Sequence, residues 1–392
     1  MTKQKLFPFS IVYALLFLFM ALCLQVSCRG PQIIIDPESE QKGDTLPPTD
    51  TTHGQICGFY LLNEGNMGAN KASLDYYDYT TATYTRNIYA AANPTMVQAL
   101  GDVGNDLALY GSKLYAVINC SNLVEVMDAA TAAHLGTIEC PNCRYLAFHG
   151  PYGYITSYAG PVSFEHYQRG CVIRFDTASL AVIDTCFVGY QPDGLAIVDS
   201  LLFVANSGGY LPTYERHVSV IDLNRFVQQD SIIIAPNLDQ VTTDRYGQLW
   251  VSSRGNYYDI PSRLYCVDGR TRSVIDSINT PVTRMWLDGD NLYVYGAQFD
   301  YTTYETHNTY RIIDVASHQI ITDNFIHNLS SQITTPYGLA VHPDTKEIYI
   351  TDATDYVSPG TLWCIAPDGK VRWSVTTGDI PSRFAFRRNH HK

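Results

Sequence analysis

Tyrosine-rich polar segments are the part of this sequence with the clearest capacity for recognition. The chain contains 29 tyrosines. A tyrosine ring offers a large apolar face and a polar tip, and it loses little rotamer entropy when it is fixed. We interpret the tyrosines in these segments as candidate ligand contacts, although exported β-proteins are rich in Tyr and many of the 29 fall in predicted strands. The candidates are Tyr158, Tyr167, Tyr210, Tyr214, Tyr257, Tyr258, Tyr301, Tyr304 and Tyr356.

A second set of candidate residues stands at the start of each of a series of repeated apolar runs. These residues are polar, mixed in sign and different from one run to the next, which suits hydrogen bonding to an asymmetric ligand. The alternative is that they only solvate a channel. The set comprises Asn105, Arg144, Asp193, Asp239, Arg284, Tyr337 and Arg383.

Signatures of catalysis are absent from the sequence. It has no GxSxG, HExxH or Walker motif, and no GxGxxG at a strand–helix junction. The histidines are scattered, and the carboxylates of Asp259, Asp300, Asp352 and Asp355 have no spacing that requires calcium. We therefore predict a protein that is not an enzyme and that has no cofactor or metal.

The charge of the chain argues against nucleic acid as a partner. The formal net charge is −12 at pH 7. A nucleic-acid binder needs a basic patch, and the only basic pair that we find in the predicted domain is Arg387-Arg388.

Seven sequence repeats organise the chain. Each begins with an apolar strand and ends its third strand with an aspartate before a turn. The repeats start 39 to 54 residues apart, at Leu107, Leu146, Leu195, Val241, Met285, Leu339 and Phe384, and the aspartates are Asp78, Asp128, Asp176, Asp222, Asp268, Asp314 and Asp368. Four short strands in a unit of about 40 to 50 residues indicate an all-β fold, a seven-bladed β-propeller. Because Asp favours turns, we interpret these aspartates as turn formers.

The two ends of the repeat region predict how the ring closes. The first repeat has a second strand at 59–62, a third at 73–78 and a fourth at 83–89, but it lacks a first strand. The segment Phe384–Phe386 resembles the first strands of the other repeats. We therefore expect this C-terminal strand to pair beside Phe59–Leu62 and complete blade 1, so that no sheet edge is left open.

Antiparallel alternation predicts where the candidate residues lie. Loops that join the second and third strands of each blade share a face with the connections between blades. The long segments are 63–72, 157–169, 206–217, 253–262, 297–309 and 352–360, whereas the loops expected on the opposite face are short turns. Elaborate loops on one face indicate that function is located there.

The N-terminal 56 residues are predicted to lie outside the propeller. Residues 1–27 have a basic start and an apolar centre, which is typical of a secretory signal peptide. Cys28 follows small residues, as at a bacterial lipoprotein processing site, and we predict that it is lipidated. A plain signal peptide or an uncleaved anchor is the alternative. Residues 28–56 are predicted to be this lipidated Cys and a flexible tether, and residues 57–392 the propeller.

Eight further cysteines leave the disulfide pattern open. Cys171 and Cys186 are placed symmetrically about the turn at 176–181, which is compatible with a cross-strand bridge or with two free thiols. Cys140 and Cys143 form a CxxC that we interpret as a local bridge or free thiols. Cys266 and Cys364 are expected to be buried thiols.

The repeats PDGLAIVDSLLFVANS and PYGLAVHPDTKEIYITDA resemble the YncE-type seven-bladed propellers. The lipoprotein-like start, Pro-rich tether and Tyr-rich loops are more similar to a Bacteroidetes branch of surface-layer-like proteins, which includes the BtuG-type lipoproteins. That resemblance implies an outer-membrane lipoprotein facing the cell exterior. It further implies capture of vitamin B12 and delivery to a TonB-dependent transporter, and it assigns no individual residue.

Three classes of function follow from the sequence. The favoured class is capture of a small ligand, preferably a corrinoid. The second is a surface adhesin or a glycan- or peptide-binding propeller that uses the same loops. The third is a propeller lactonase or lyase, which would need a metal-binding ring of acids and His that the candidate set does not contain.

Overall fold

The structure is a computed structural model that describes residues 32–34, 55–96, 99–300 and 304–389. The predicted signal segment, Cys28, Tyr301 and most of the predicted tether lie outside the described residues. The described residues form seven antiparallel sheets arranged as the blades of a propeller.

Blades 2 to 7 contain four strands each, ordered from the centre of the ring outwards, and blade 1 contains five. Blade 1 has β1 (Gln32–Ile34), β2 (Ile56–Asn63), β3 (Ser73–Asp78) and β4 (Thr83–Thr85). Blades 2 to 4 contain β5 (Gly104–Tyr110), β6 (Lys113–Ile118), β7 (Leu123–Asp128), β8 (His134–Glu139), β9 (Cys143–His149), β10 (Tyr152–Ser157), β11 (Arg169–Asp176), β12 (Val182–Tyr190), β13 (Pro192–Val198), β14 (Leu201–Asn206), β15 (His217–Asp222) and β16 (Val227–Ile233). Blades 5 to 7 contain β17 (Leu238–Thr243), β18 (Gln248–Ser253), β19 (Arg263–Asp268), β20 (Ser273–Ile278), β21 (Arg284–Asp288), β22 (Asn291–Asp300), β23 (Glu305–Asp314), β24 (Gln319–Thr322), β25 (Pro336–Val341), β26 (Ile348–Asp352), β27 (Pro359–Ile365) and β28 (Val371–Asp379). The final strand, β29 (Pro381–Arg388), joins blade 1.

The ring closes as the sequence predicts. β29 pairs antiparallel with β2, with Phe386 opposite Phe59 and Phe384 opposite Leu61. The innermost strands β29, β5, β9, β13, β17, β21 and β25 each contact the next one around the ring. They approach so closely that a Cβ on Gly194 would lie 2.6 Å from the carbonyl oxygen of Asp239. This close approach explains the glycine in the repeated PDG and PYG segments.

Seven apolar clusters hold the blades together, one between each pair of neighbours. Strand β2 contributes side chains to two of these clusters, because successive side chains of a strand point to opposite faces of the sheet. Phe59 and Leu61 pack against blade 7, whereas Tyr60 and Leu62 pack against blade 2. Each sheet therefore buries both of its faces.

The repeated aspartates are turn formers, as predicted. Asp176 accepts hydrogen bonds from the backbone N–H groups of Ala178 and Ser179, and the equivalent aspartates do the same in their own turns. These bonds stabilise the ionised carboxylate, and they hold the pKa of Asp176 below its ordinary value.

The fourth strand predicted at 83–89 is only partly correct. β4 ends at Thr85, and the chain continues into a short helix, α1 (Ile88–Ala92). Asn87 adopts a left-handed conformation with φ of 49°, and its backbone N–H donates to the buried carboxylate of Asp75. This contact turns the chain out of the sheet. The outer edge of β4 is covered instead by β1, from the predicted tether.

The predicted loop at 297–309 is instead largely β structure. β22 and β23 extend beyond the sheet as a two-stranded ribbon that pairs Ala297 with Asn308 and Phe299 with Thr306. A one-turn 3₁₀ helix (His327–Ser331) then connects blade 6 to blade 7.

Cys171 and Cys186 do not face each other. Phe175 pairs with Val182 as symmetry about the turn requires, but a bulge then shifts the register by one residue, and Cys186 lies opposite Val172. One step of register moves a side chain to the other face of the sheet, so a bridge between these two cysteines is not formed. The eight cysteines of the described residues are free thiols, and seven of them, including Cys266 and Cys364, are buried.

Candidate functional site

A cavity of about 690 Å³ opens at the centre of the ring, on the face that carries the long loops. One wall is the blade 5 loop, with Tyr257, Tyr258 and Ile260, and another is the blade 6 ribbon, with Gln298 and Phe299. Its inner end is formed by residues of the innermost strands and by Arg254, which follows β18. These inner residues are Asn105, Arg144, Tyr145, Asp239, Arg254, Arg284 and Tyr337.

Six of the innermost strands begin three residues earlier than predicted and β21 begins one residue earlier, so the polar candidates lie inside them. The strand pairing is irregular at these positions, for example between Pro192 and Leu195 and between Leu238 and Val241. Irregular pairing re-aims side chains. Asp193 and Asp239 therefore take part in contacts across the centre of the ring.

The first cluster of charges joins blades 3, 4 and 5. Asp193 accepts a hydrogen bond from Arg144 Nε at 3.1 Å and another from the Tyr158 hydroxyl at 2.9 Å. The Arg254 guanidinium lies 3.6 Å from Asp193 and 2.8 Å from Asp239. Arg144 also stacks over the ring of Tyr158. One buried carboxylate thus orients two arginines that reach the cavity.

The second cluster joins blades 6, 7 and 1. Glu64 accepts a hydrogen bond from the Tyr337 hydroxyl at 2.8 Å and lies 3.6 Å from Arg284. Arg284 in turn lies over the Tyr337 ring. On the neighbouring blades, Arg383 donates to the carbonyl oxygen of Asn105 and lies 3.7 Å from Asp106.

Burial shifts the acid–base properties of these groups. Desolvation raises the pKa of the Glu64 and Asp106 carboxyls, while Arg284 and Arg383, respectively, oppose that rise. Desolvation alone would lower the pKa of Arg254, but Asp239 and Asp193 outweigh it and the pKa lies above its usual range. The arginines therefore stay cationic.

Of the residues predicted from sequence, one group lines the cavity and a second group supports it. The lining group is Asn105, Arg144, Asp239, Arg284, Tyr257, Tyr258 and Tyr337. The supporting group is Tyr158, Asp193 and Arg383, whose contacts fix the lining residues. Tyr158 is buried rather than exposed on a loop.

The remaining predicted tyrosines surround the cavity without lining it. Tyr210 contacts Phe164, and Tyr167 contacts Tyr190. Tyr214 and Tyr356 contact the lining residues Tyr257 and Tyr337, and Tyr304 contacts Phe299.

Several cavity residues were absent from the predicted set, among them Glu64, Tyr145 and Arg254. Arg254 directly follows the end of a second strand, in SRG, and Glu64 occupies the corresponding place in NEG of blade 1. The end of the second strand is therefore the sequence signal that finds Arg254 and Glu64, because it lies on the same face as the start of the innermost strand.

Among the described residues, no group of three or more His, Cys, Asp or Glu side chains could hold a metal ion. Asp352 and Asp355 instead accept hydrogen bonds from neighbouring backbone N–H groups. No helix in the described part of the chain has the length and apolar character needed to cross a membrane.

Comparison with known protein families gives a match over residues 57–359 to a family described as a domain of unknown function, DUF5074. The chain belongs to this family. A search of curated proteins found no significant match. The match begins within β2 and ends before β28 and β29, and it leaves the ligand open.

Solved structures similar to this DUF5074 chain are propellers of low sequence identity. A quinoprotein alcohol dehydrogenase-like protein from Bacteroides thetaiotaomicron is 14% identical with a TM-score of 0.60, covering 86% of this chain and 79% of that one. Kuenenia stuttgartiensis hydrazine synthase is 17% identical with a TM-score of 0.57, covering 71% and 88%. Apo AztD from Citrobacter koseri is 10% identical with a TM-score of 0.52, covering 86% and 99%. These similarities establish the fold.

Proposed function

We propose that this DUF5074 protein is a cell-surface lipoprotein that captures a small ligand in its central cavity. The observation that carries the proposal is the construction of the cavity. Arginines from three blades are oriented by buried carboxylates, and aromatic side chains of two blades form the walls. Concave sites with apolar walls and a few oriented polar groups are typical of ligand pockets.

A corrinoid is the ligand that we favour. It is a broad, rigid disc with apolar faces and a fringe of amides. The rings of Tyr257, Tyr258 and Phe299 offer stacking area, and Asn105 and the arginines offer partners for amides. A rigid ligand on a rigid ring also avoids ordering costs. In this proposal the protein passes the corrinoid to a TonB-dependent outer-membrane transporter.

A second candidate function is a surface adhesin that binds glycans or peptides. The observation in its favour is that aromatic side chains extend beyond the cavity, over blades 3 and 4. Phe164 and Tyr167 are exposed there, and Phe164 packs against Tyr210. An extended ligand could contact this wider surface, whereas a ligand confined to the cavity would not reach it.

Removal of two tyrosines from the cavity wall tests the proposed function. Tyr257 and Tyr258 are both exposed at the cavity. Aromatic anchors typically cost about 2 kcal/mol or more when they are truncated. We expect Tyr257→Ala with Tyr258→Ala to weaken cobalamin binding, measured by calorimetry, by roughly thirtyfold or more, with little change in melting temperature because the loop lies outside the sheets.

Tyr246 supplies a matched control. It is an exposed tyrosine of the same blade, but it lies in the turn at the opposite end of β18. Tyr246→Ala should leave the affinity unchanged. Equal losses from Tyr246→Ala and the double variant would contradict the cavity as the ligand site. Absence of heat and of co-elution with cobalamin would favour the adhesin.

A further inference from the structure

Arg144 and Arg254, at the inner end of the cavity, are more accessible than the carboxylates that pair with them, whereas Arg284 and its partner Glu64 are similarly exposed. The Arg254 side chain is 33% exposed, whereas the Asp193 and Asp239 side chains are 0% and 2% exposed. Asp193 and Asp239 lie behind the guanidinium groups of Arg144 and Arg254. A ligand that enters the cavity therefore meets donors in preference to acceptors.

The acceptor capacity of the site is already used inside the protein. Both Asp193 and Glu64 accept from a tyrosine hydroxyl, of Tyr158 and Tyr337 respectively, and each lies next to an arginine. These two hydroxyls are thereby directed away from a ligand. Beside these paired acids and the Asn105 side chain, the inner end presents aromatic rings and guanidinium N–H groups.

The arginines keep unused donors. Arg144 hydrogen bonds to protein through Nε alone within the described chain, so its two terminal nitrogens have no protein acceptor there. A guanidinium carries five N–H donors in a rigid fork that matches two oxygens of one group. Such charge-assisted pairs are stronger than neutral hydrogen bonds.

We propose that the inner end of the cavity binds an oxyanion of the ligand, a carboxylate or phosphate group attached to an apolar or aromatic body. This assignment rests on the proposal above that the cavity is the ligand site, and it is independent of whether the ligand is a corrinoid. Arg144, Arg254 and Arg284 hold the oxyanion, and the aromatic walls hold the body.

Three small probes of similar shape test this inference: benzoate, phenyl phosphate and the neutral benzamide. Their affinities for the folded protein can be measured by saturation-transfer NMR titration. We expect benzoate or phenyl phosphate to bind at least tenfold more tightly than benzamide. The tighter of the two anions identifies which oxyanion the site takes. Benzamide binding as tightly as both anions would overturn the inference.

Substitution at Arg254 tests whether the anion binds at the inner end of the cavity. Arg254→Gln alone would leave Asp239 buried without its partner, which can prevent folding. The variant Arg254→Gln with Asp239→Asn keeps the charge balance, and Asp193 retains Arg144 and Tyr158. We expect this double variant to lose at least tenfold in affinity for the preferred anion and less than twofold for benzamide. Arg254→Lys, which keeps the charge but not the fork, should lose severalfold.

Arg272 is the matched control. Its side chain is also 33% exposed. It lies in the turn between β19 and β20, 2.8 Å from Asp230 of the outer strand β16 and away from the cavity. Arg272→Gln should leave both anion and benzamide binding unchanged. Equal losses of anion and benzamide in the Arg254 double variant would overturn the inference. Anion binding without cobalamin binding would reject only the corrinoid, whereas cobalamin binding without preference for anions would reject only the oxyanion assignment.

Discussion

At the scale of single residues, His342 shows how burial fixes a protonation state. It lies in the turn between β25 and β26, where its Nδ1 accepts hydrogen bonds from the backbone N–H groups of Asp344 and Thr345. Its ring packs against Tyr79 and Phe386. Only the neutral imidazole can accept these bonds, and burial lowers its pKa.

The lowered pKa of His342 predicts a loss of stability in mild acid. Because the folded-state pKa lies below the unfolded value of about 6.5, the stabilisation is complete above that pH and is lost as the pH falls through the folded-state value. We expect protonation of His342 to lower the melting temperature by about 2 °C or more between pH 8 and pH 5.

The variant His342→Asn is the comparison for this prediction. An Asn oxygen can accept the same backbone N–H groups, and it does not titrate. Melting curves recorded from pH 8 to pH 5 should therefore be flatter for the variant. Identical pH dependence in both proteins would contradict a role for His342.

The sequence identified one partner of most charged pairs in the site and missed the other. Arg144 and Asp193 are recognisable because they recur at the same place in their repeats. Arg254 stands in another place in its repeat, and its partners Asp193 and Asp239 belong to two different strands. These pairs depend on the distance between neighbouring blades, which no repeat pattern contains.

At the scale of elements, β29 is the strand on which the ring depends. It supplies the inner partner of β2, and Phe384 packs in the cluster between blades 7 and 1. Ser382 also donates a hydrogen bond to the carbonyl oxygen of Leu62. Its removal would expose the backbone of β2 and open that cluster.

Deletion of all residues after Gly378 should therefore destabilise the whole propeller. We expect the cooperative melting transition, followed by circular dichroism, to disappear or its midpoint to fall by more than about 10 °C. The reason is that one strand and its packing contribute several kcal/mol of stability. Deletion of residues 390–392 alone is the control and should have no effect. A truncated protein that melts like the full chain would contradict closure by β29.

Strand positions were largely predictable, whereas local register was not. The repeat spacing and the aspartate turns predicted all seven blades because each repeat must place four strands. The bulge in β12 depends on one residue, and it decided that Cys186 faces Val172 instead of Cys171. Likewise, the hydrogen bond from Asn87 to Asp75 ended β4 early.

At the scale of the whole molecule, the two faces of the ring differ. The cavity and the long loops share one face, and tight aspartate turns occupy the other. The sequence predicted this division, because strand direction alternates in every blade. It did not predict the pairings at the inner end of the cavity, where side chains from seven blades meet or support one another.

Lipidation at Cys28 remains a prediction about the whole molecule. We expect Cys28→Ala to abolish metabolic palmitate labelling and to release the protein from membranes. Cys120→Ala, which changes a thiol within the propeller, should leave labelling intact. Labelling that persists in Cys28→Ala would contradict the lipoprotein assignment.

The pairing of β2 with β29 also sets the order of events during biosynthesis. Cys57 and Arg387 are in contact although they are 330 positions apart. β2 is thus among the first strands to leave the ribosome, and its inner neighbour is among the last. Contacts of such long sequence separation form late in folding. The ring can lock only after β29 has emerged, so the nascent chain stays open until its synthesis is nearly complete.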